Sequence, residues 1–448
     1  MSQVIKNYSR VVPERMHDVR ANAHGLGILY TIEVELSRLV GCWIARTPEL
    51  PEKMLLGRIL YEDAEHAERL EKRLVELRVA PEKLPELRCR TAAALRELEH
   101  APDPATFLSG LFHVLKPALL ADLRRHLDGC PPYVDEPTER MLRQVIVEEE
   151  DHLSTGLALL ADRGIATSPA PAGALWDMFA EDGALEQGAF VGHEPIPLDS
   201  PLWPASVDKL AFEQPMPEFP SDFDTAMRRC IHDLVFSETE ALDIFGRYVY
   251  EFPEMPWQFH VEAARIAWDE ARHVELLLNV LERYGGRVGE FPAKAPGFEE
   301  YVREPTTLRK ILMVNVIAEG EVSTDTQTQH RDAFRELGDE LSAILKDYEM
   351  ADEIVHGQFG GKWARWIAEN TGADIDEALA AARNSLEQFK SMHDDEGGES
   401  AIPLVRLGAD ETGPGRVVNV TAKRLLGYSE EEIEKISAGA GSRVEEGD

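Results

Sequence analysis

Apolar residues recur every three or four positions through the first third of the chain, with Glu, Arg and other polar residues between them. This period places the apolar side chains on one face of an α-helix. From about residue 22 to 164 the pattern predicts four helices. Their sequences are "ILYTIEVELSRLVGCWIA", "KMLLGRILYEDAEHAERLEKRLVEL", "ATFLSGLFHVLKPALLADLRRHL" and "TERMLRQVIVEEEDHLSTGLALLADRG".

The pattern changes in residues 165–220, where prolines in "TSPAPAGA", "HEPIPLDSPLWP" and "EQPMPEFPSDF" break helices and favour extended backbone. The segment also contains Trp176, Phe179, Trp203 and Phe212, so we expect a linker that packs against its neighbours.

A second set of four helices is predicted from residue 221 to about 371 by the same apolar period. The tail after residue 390 contains one predicted short helix, "AKRLLGYSEEEIEKISAG", and its last residues are expected to be disordered. The predicted domains are therefore residues 1–164, 165–220, 221–390 and 391–448.

The two helical sets resemble each other at a nearly constant offset. "TPELPEKMLLGRILYEDAEHAERL" matches "FPEMPWQFHVEAARIAWDEARHVELL", which aligns His66 with His273. "VEEEDH" aligns with "ADEIVH", and "TIEVE" with "SETEA". Chance matches would not share one offset, so the chain is interpreted as two copies of one four-helix unit.

Two Glu-x-x-His pairs lie in the second copy, Glu270 with His273 and Glu353 with His356, on its second and fourth helices. Residues three positions apart share one helix face, so each pair can bind one ion. A single such pair is common in a chain this rich in Glu, where it is usually a solvated face. Two pairs on alternate helices of one bundle are much harder to explain by chance.

A bundle site of this kind needs one more acid from each remaining helix. The candidates are Glu238 or Glu240 in "FSETEA" and Glu319 or Glu321 in "IAEGEV". Glu319 follows Leu312 and Val316 at helical spacing, so it would be buried on an apolar face. A buried carboxylate without a partner is costly, and carboxylates around two divalent cations are neutralised.

These motifs resemble the ferritin-like di-iron carboxylate superfamily, and residues 215–370 are more closely similar to an uncharacterised bacterial ferritin-like family, the domain-of-unknown-function-455 group. The resemblance rests on "DEARHVELLLNVLERYGGRVGEFPAK", "QHRDAF" and "ADEIVHGQF". It implies two tandem ferritin-like four-helix bundles joined by the Pro-rich linker. It also implies two Fe ions as cofactor, with Mn as the alternative.

The ligands that the resemblance implies are all Glu or His residues of the second copy: Glu238, Glu270, His273, Glu319, Glu353 and His356. Glu319 is preferred to Glu321 because it lies twelve residues before "RDAF", the spacing associated with the family. Glu240 and Glu321 remain alternatives, and Arg272 is expected to contact a carboxylate near the metals.

The first copy departs from the pattern, because Lys116 in "LFHVLKPALLAD" aligns with Glu319. An ammonium group can replace the charge of one cation, which favours a metal-free site held by salt bridges. The alternative is a residual mono- or dinuclear site. Its candidate ligands are Glu33, Glu35, Asp63, His66, Glu149 and His152.

Composition and charge narrow the function classes. The net charge of −35 repels phosphate backbones and anionic lipids, so nucleic acid and membrane are not expected as partners. The chain has no run of eighteen apolar residues and no signal-peptide pattern, which predicts a soluble cytoplasmic protein. Its four cysteines show no C-x-x-C spacing and are expected to be reduced, buried thiols.

Two functional hypotheses remain. In the first, a non-haem di-iron oxidoreductase activates O2 to hydroxylate, N-oxygenate or desaturate a small organic substrate, with a reductase or other electron donor as partner. In the second, the protein is a non-catalytic metal-binding or redox-buffering ferritin-like protein or scaffold. The substrate and the oligomeric state, including a homodimer, are left open by the sequence.

Overall fold

The computed structural model describes residues 16–79, 95, 97–165, 195–211, 213–392, 417–438 and 443–445, and it is an all-α protein with very little strand. The four helices predicted for the first helical set are present. They are α1 (Val19–Ile44), α2 (Leu50–Glu76), a continuous third helix and α5 (Glu136–Asp162). The third helix consists of α3 (Pro104–Gly110), a π-helical turn (Leu111–Leu115) and α4 (Lys116–Gly129).

The second helical set also has its four predicted long helices. They are α6 (Phe223–Glu251), α7 (Trp257–Arg283), a compound third helix and α11 (Glu340–Thr371). The third is built from α9 (Thr307–Ile311), a long π-helical segment (Leu312–Ser323) and α10 (Thr324–Glu336). Helices α8 (Pro296–Arg303) and α12 (Ile375–Met392) were not predicted.

The tail differs from its prediction, which was one short helix followed by disorder. Two helices are present, α13 (Val420–Leu425) and α14 (Glu430–Ser437). Gly427, with a φ of 91°, ends the first, and a capping box at Ser429 begins the second. Strands β1 (Val417–Asn419) and β2 (Arg443–Glu445) pair in parallel on either side of them.

Side chains at the helix starts explain where several helices begin. Asp18 accepts a hydrogen bond from the Ala21 amide at 2.8 Å, and Asp103 accepts one from the Thr106 amide at 2.7 Å. Such caps satisfy amide groups that have no partner within the helix. Asp339 does the same for Ser342 at the start of α11.

Two compact units divide the chain, and neither is continuous in sequence. The N-terminal unit contains residues 1–47, 51–196 and 246–264, and the C-terminal unit contains residues 48–50, 197–245 and 265–448. Each unit has its own apolar core and its own cluster of buried charged residues. The domain boundaries expected from the sequence stay a prediction.

Part of the Pro-rich segment is packed as expected. Trp203 is buried, lies against the ring of Phe236, and donates its indole N–H to Asp243 at 3.3 Å. Trp176, Phe179 and Phe212 lie outside the described residues.

Three of the four cysteines, Cys42, Cys130 and Cys230, are buried free thiols, as predicted, and Cys89 lies outside the described residues. Within the described part, one continuous helix, Pro104–Gly129, is long and apolar enough to cross a membrane. Of its apolar window, 67% is buried inside the protein, which is also typical of a core helix and is compatible with a soluble protein.

Candidate metal centre

Six acidic and histidine side chains from four helical segments meet in the core of the C-terminal unit. They form two groups, and the donor atoms within each group lie within 4.8 Å of one another. The first group is Glu238, Glu270, His273 and Glu353. The second group is Glu270, Glu319, Glu353 and His356. The two groups share Glu270 and Glu353, and together they contain the six residues that the resemblance implied.

The distances around the two imidazoles define the geometry of the cluster. His273 Nδ1 lies 3.3 Å from Glu270 Oε2 and 3.5 Å from Glu238 Oε2. His356 Nδ1 lies 3.2 Å from Glu270 Oε1 and 3.5 Å from Glu353 Oε2. The two carboxylate oxygens of Glu270 therefore face different histidines, which is the arrangement of a carboxylate that can bridge two ions.

Two further acids orient the histidines. His356 Nε2 lies 3.5 Å from Asp269 Oδ2, and His273 Nε2 lies 3.3 Å from Asp352 Oδ2. Each acid directly precedes a ligand residue on one helix and faces the histidine of the other helix. Arg272 bonds to both Asp269 and Asp352, so the predicted contact of Arg272 with a carboxylate is present.

The surroundings explain the ionisation of the cluster. Burial, together with repulsion from Glu319, holds the pKa of Glu353 well above its usual range, and burial raises the pKa of Glu270 to about 7. Burial alone would lower the pKa of His273 and of His356, but the carboxylates around each ring raise it well above its ordinary value. Burial would also raise the pKa of Glu238 and of Glu319, but the neighbouring side chains of the cluster lower it. Glu270, Glu353 and the two imidazoles therefore retain protons that a metal ion would displace.

Several buried atoms of the cluster have no hydrogen-bond partner among the described residues. They include Glu270 Oε1, Glu353 Oε2 and both ring nitrogens of His356. Ligands bound to one ion at about 2.0 to 2.2 Å lie roughly 3.0 to 3.5 Å apart at ordinary coordination angles. The distances from Glu270 and Glu353 to His356 fall in or near this range, so the residues present fit a pair of metal ions.

The alternative ligands lie outside both groups. Glu240 is buried, but its carboxylate accepts a hydrogen bond from the Phe298 amide near the start of α8, and burial raises its pKa to about 8. Glu321 pairs with Arg383 and accepts a hydrogen bond from the Tyr428 hydroxyl at 3.2 Å. Glu238 and Glu319, the acids preferred by the sequence analysis, are the ones that reach the cluster.

The N-terminal unit contains a corresponding cluster with two differences, because Asp63 takes the position of Glu270 and Lys116 that of Glu319. Glu33, Asp63, His66 and Glu149 form one group, whose donor atoms lie within 4.8 Å of one another. Lys116 Nζ lies beside them, 2.6 Å from Asp63 Oδ1 and 2.8 Å from Glu149 Oε1. Glu35 does not belong to the group, because it pairs with Arg38 at 3.1 Å.

In the N-terminal unit, too, each histidine contacts an acid from the opposite helix. His66 Nε2 lies 2.7 Å from Glu148 Oε2, and His152 Nε2 contacts the Glu62 carboxylate. Sequence reasoning missed Glu62, Glu148 and Asp352, and it left Asp269 as a solvated residue or a neighbour of the site. The missed signal was present, since an acid directly precedes each ligand acid in "EDAEH", "EEEDH", "DEARH" and "DEIVH".

A buried ion pair next to the C-terminal cluster was also missed. Lys346 bonds to Glu349, both side chains are 1% exposed, and both interact electrostatically with Glu238. The pair lies on α11, one to two turns before Glu353, so α11 presents it on the same side as the ligands.

Comparison with known proteins places the chain in a family without assigning it an activity. No curated protein and no solved structure matches the chain. A family model described as "Protein of unknown function (DUF455)" matches residues 170–396, about half of the chain, including all six residues of the C-terminal cluster. The chain therefore belongs to this DUF455 family.

Proposed function

We propose that the C-terminal unit is a ferritin-like di-metal centre that binds two iron ions, or manganese in their place, and that the protein is an O2-activating oxidoreductase. The observation that carries this proposal is the sharing of Glu270 and Glu353 by two four-residue donor groups. Two overlapping groups supply two adjacent ion positions, with one histidine and one unshared carboxylate at each.

Charge supports two divalent ions. The carboxylates of Glu238, Glu270, Glu319 and Glu353 carry four negative charges when ionised, and two divalent cations balance them with neutral histidines. The adjacent Lys346–Glu349 pair is neutral overall and does not change this balance. Without the ions, protons must neutralise the buried acids, because isolated charges are costly in the core.

The donor set supports iron or manganese. Imidazole and carboxylate together suit both metals, and neither donor group contains a thiolate of the kind that selects copper(I). Asp352 Oδ2 lies 3.3 Å from His273 Nε2, and Asp269 Oδ2 lies 3.5 Å from His356 Nε2. Carboxylates in these positions favour a proton on each Nε2 when an ion is bound, so each Nδ1 is the nitrogen available to the ion.

Two redox-active ions held side by side would supply the electrons that reduce O2. The residues of the chain decide where small molecules approach. An acid lies beside Nε2 of each histidine, on the side of the ring away from the cluster. Glu238 and Glu319 are the least buried of the proposed ligands, at 7% and 9% exposed. We infer that O2 and a small organic substrate reach the centre from the side of Glu238 and Glu319.

The proposed substrate is a small organic molecule, oxidised by hydroxylation, N-oxygenation or desaturation, and the proposed partner is a reductase or other electron donor. The net charge of −35 argues against a nucleic-acid substrate.

A non-catalytic role in metal binding or redox buffering is the second candidate. It is favoured by the burial of the ligands, none of which is more than 9% exposed, since a closed site holds ions as readily as it turns over a substrate. The two candidates differ in whether O2 is consumed repeatedly.

The experiment loads the full chain anaerobically with ferrous ions and measures O2 consumption with and without excess ascorbate as electron donor. An oxidoreductase is expected to give rapid O2 consumption, a transient visible absorption band, and repeated turnover with ascorbate. A single stoichiometric uptake would support the redox-buffering role.

Two variants on α11 serve as comparison. Glu353→Ala is expected to lose both ions and the fast O2 uptake, whereas Glu369→Ala, an exposed acid on the same helix, should behave like the wild type. Full metal retention in Glu353→Ala, or wild-type protein that consumes O2 no faster than ferrous ions in buffer, would contradict the proposal.

A further inference from the structure

We propose that the N-terminal unit binds a single divalent transition-metal ion at Glu33, Asp63, His66 and Glu149, next to Lys116, whose ammonium group takes the place of a second ion. This site is separate from the proposed C-terminal centre. Its existence does not depend on whether that centre is an enzyme.

Lys116 fills one of the two positions. Its Nζ lies 2.6 Å from Asp63 Oδ1, 2.8 Å from Glu149 Oε1 and 3.3 Å from His152 Nδ1. These partners correspond to Glu270, Glu353 and His356, which surround the second position of the C-terminal cluster. The ammonium is fully buried, and the surrounding carboxylates raise its pKa against the lowering effect of burial, so it stays charged.

At the other position, each of four side chains has at least one oxygen or nitrogen atom without a hydrogen-bond partner among the described residues. Among the described residues, no hydrogen-bond partner is found for both carboxylate oxygens of Glu33, for Asp63 Oδ2, for His66 Nδ1 or for Glu149 Oε2. All four side chains are 0% exposed. Buried polar atoms are nearly always paired, so five such atoms in one cluster indicate a missing cation.

The tautomer of His66 supports a metal ligand. Its Nε2 lies 2.7 Å from Glu148 Oε2, and that carboxylate also accepts a hydrogen bond from Arg69 at 3.0 Å. A neutral His66 would therefore carry its proton on Nε2 and present Nδ1 to Glu33 Oε1 and Glu149 Oε1, each at 3.5 Å. Nδ1 is thus placed to share one ion with these two carboxylates.

The net charge of the N-terminal cluster favours the binding of one divalent ion rather than two. Glu33, Asp63 and Glu149 contribute three negative charges and Lys116 one positive charge, which leaves two negative charges for one divalent cation. A second divalent ion would have to displace the buried ammonium group. The ligand set of one imidazole and three carboxylates suits Mn²⁺, Fe²⁺ or Zn²⁺.

The test is a titration of the chelator-treated full chain with Co²⁺, with bound metal measured by elemental analysis after desalting and by visible absorption. The wild type is expected to bind three ions per chain. Glu33→Gln, which retains the shape of the side chain, and His66→Ala should each bind one ion fewer than the wild type. Glu150→Gln, an exposed acid next to Glu149, is the matched control and should keep the full count.

The failure of this proposal can be distinguished from the failure of the C-terminal one. A chain that carries Glu353→Ala and His356→Ala should still bind one Co²⁺, and adding Glu33→Gln to it should remove that ion. If Glu33→Gln and His66→Ala fold with wild-type circular dichroism and keep the wild-type ion count, the cluster is neutralised by protons and the N-terminal site does not exist.

Discussion

Each histidine of the two clusters is held by an acid from the opposite helix. Asp269 on α7 faces His356 on α11, and Asp352 on α11 faces His273 on α7. These two contacts orient both imidazole rings, and they link the two Glu-x-x-His motifs across α7 and α11. The second carboxylate in each motif therefore has a role as specific as that of the ligand beside it.

Asp352→Asn should weaken metal binding by about 10- to 100-fold, because the amide no longer accepts the Nε2 proton of His273 with a full negative charge. Metal affinity, measured by competition with a chelator of known affinity, checks this. Asp347→Asn, an acid on the same helix that is 48% exposed and pairs with Arg331, is the control. Equal affinities for the two variants would mean that Asp352 does not orient His273.

The sequence predicted the residues of the cluster better than it predicted the acids that contact its histidines. Two Glu-x-x-His pairs on alternate helices specify a shared face, so Glu270, His273, Glu353 and His356 could be identified without a structure. The residue pattern did not separate Glu238 from Glu240, because both follow an apolar run, and only the resemblance favoured Glu238. What distinguishes them is the Phe298 amide, which pairs with Glu240 from a helix that the sequence analysis did not predict.

At the scale of elements, both compound helices contain a π-helical segment next to the cluster. Leu111–Leu115 directly precedes Lys116, and Leu312–Ser323 contains Glu319. π-Helical turns widen a helix locally and are frequent at functional sites. The α-helical spacing used to place Glu319 on a buried face therefore does not describe this segment, although the predicted burial of Glu319 is correct.

Two glycines on α11, Gly360 and Gly361, differ in how closely the π-helical segment packs against them. A Cβ at Gly360 would lie 2.6 Å from Asn315 Cβ and 3.2 Å from the Asn315 carbonyl carbon, whereas one at Gly361 would meet only the end of Arg365 at 3.6 Å. A side chain at position 360 would therefore push against Asn315 and shift the π-helical segment that contains Glu319.

Gly360→Ala is therefore expected to destabilise the C-terminal unit by about 1 to 3 kcal/mol and to weaken metal binding. Gly361→Ala should be neutral or stabilising by up to roughly 1 kcal/mol, because alanine is the better helix former. Thermal unfolding with and without metal measures both effects. A Gly360→Ala protein as stable as Gly361→Ala would show that the contact with Asn315 does not constrain the segment.

A lysine of the C-terminal tail binds the π-helical segment that contains Glu319. Lys423 on α13 is buried and donates to the carbonyl oxygens of Gly320 and Glu321, at 3.1 and 2.8 Å, next to Glu319. The sequence did not show this, because a lysine in a charged tail usually lies in solvent. Only the structure shows that the tail satisfies carbonyl groups of the π-helical segment.

At the scale of the whole molecule, buried neutral histidines link stability to pH. Burial and the nearby Arg229 lower the pKa of His232 to about 4, although Glu290 opposes the shift. Burial and His17 lower the pKa of His126 to about 4, and burial and Arg38 lower that of His260 to about 3. All three histidines are 8% exposed or less.

Because the folded pKa lies below the unfolded value of about 6.5, the stabilisation is complete above pH 6.5 and is lost as the pH falls toward 4. As the pH decreases through this window, each of the three histidines should therefore lower the free energy of unfolding by up to about 1.4 kcal/mol per pH unit. Buried acids such as Asp233 and Glu240, whose pKa burial raises to about 6 and about 8, contribute in the opposite direction, so variants are needed to isolate the histidine contribution in chelator-treated protein. His232→Gln should reduce the slope of the unfolding free energy against pH by up to about 1.4 kcal/mol per pH unit, which is the contribution of one proton. The exposed His24→Gln is the control, and equal slopes for the two variants would exclude His232 as a source.

The organisation of the whole chain was only partly predictable. The shared offset predicted two similar helical sets, and corresponding clusters of buried acids and histidines are present in both units. The sequence could not predict that residues 246–264 belong to the N-terminal unit, because nothing local in a helix specifies which distant core it joins. It also predicted correctly that Lys116 would take a position among the acids, because an ammonium group is the side chain that can neutralise them.

The most direct test of the central claim is an anomalous difference map, collected at the iron edge, from crystals of the full chain loaded with ferrous ions. The proposal predicts two peaks about 3.5 to 4 Å apart, both contacted by the carboxylates of Glu270 and Glu353. His273 should contact one peak and His356 the other. A well-ordered C-terminal unit with no anomalous peak between these residues would contradict the di-metal centre.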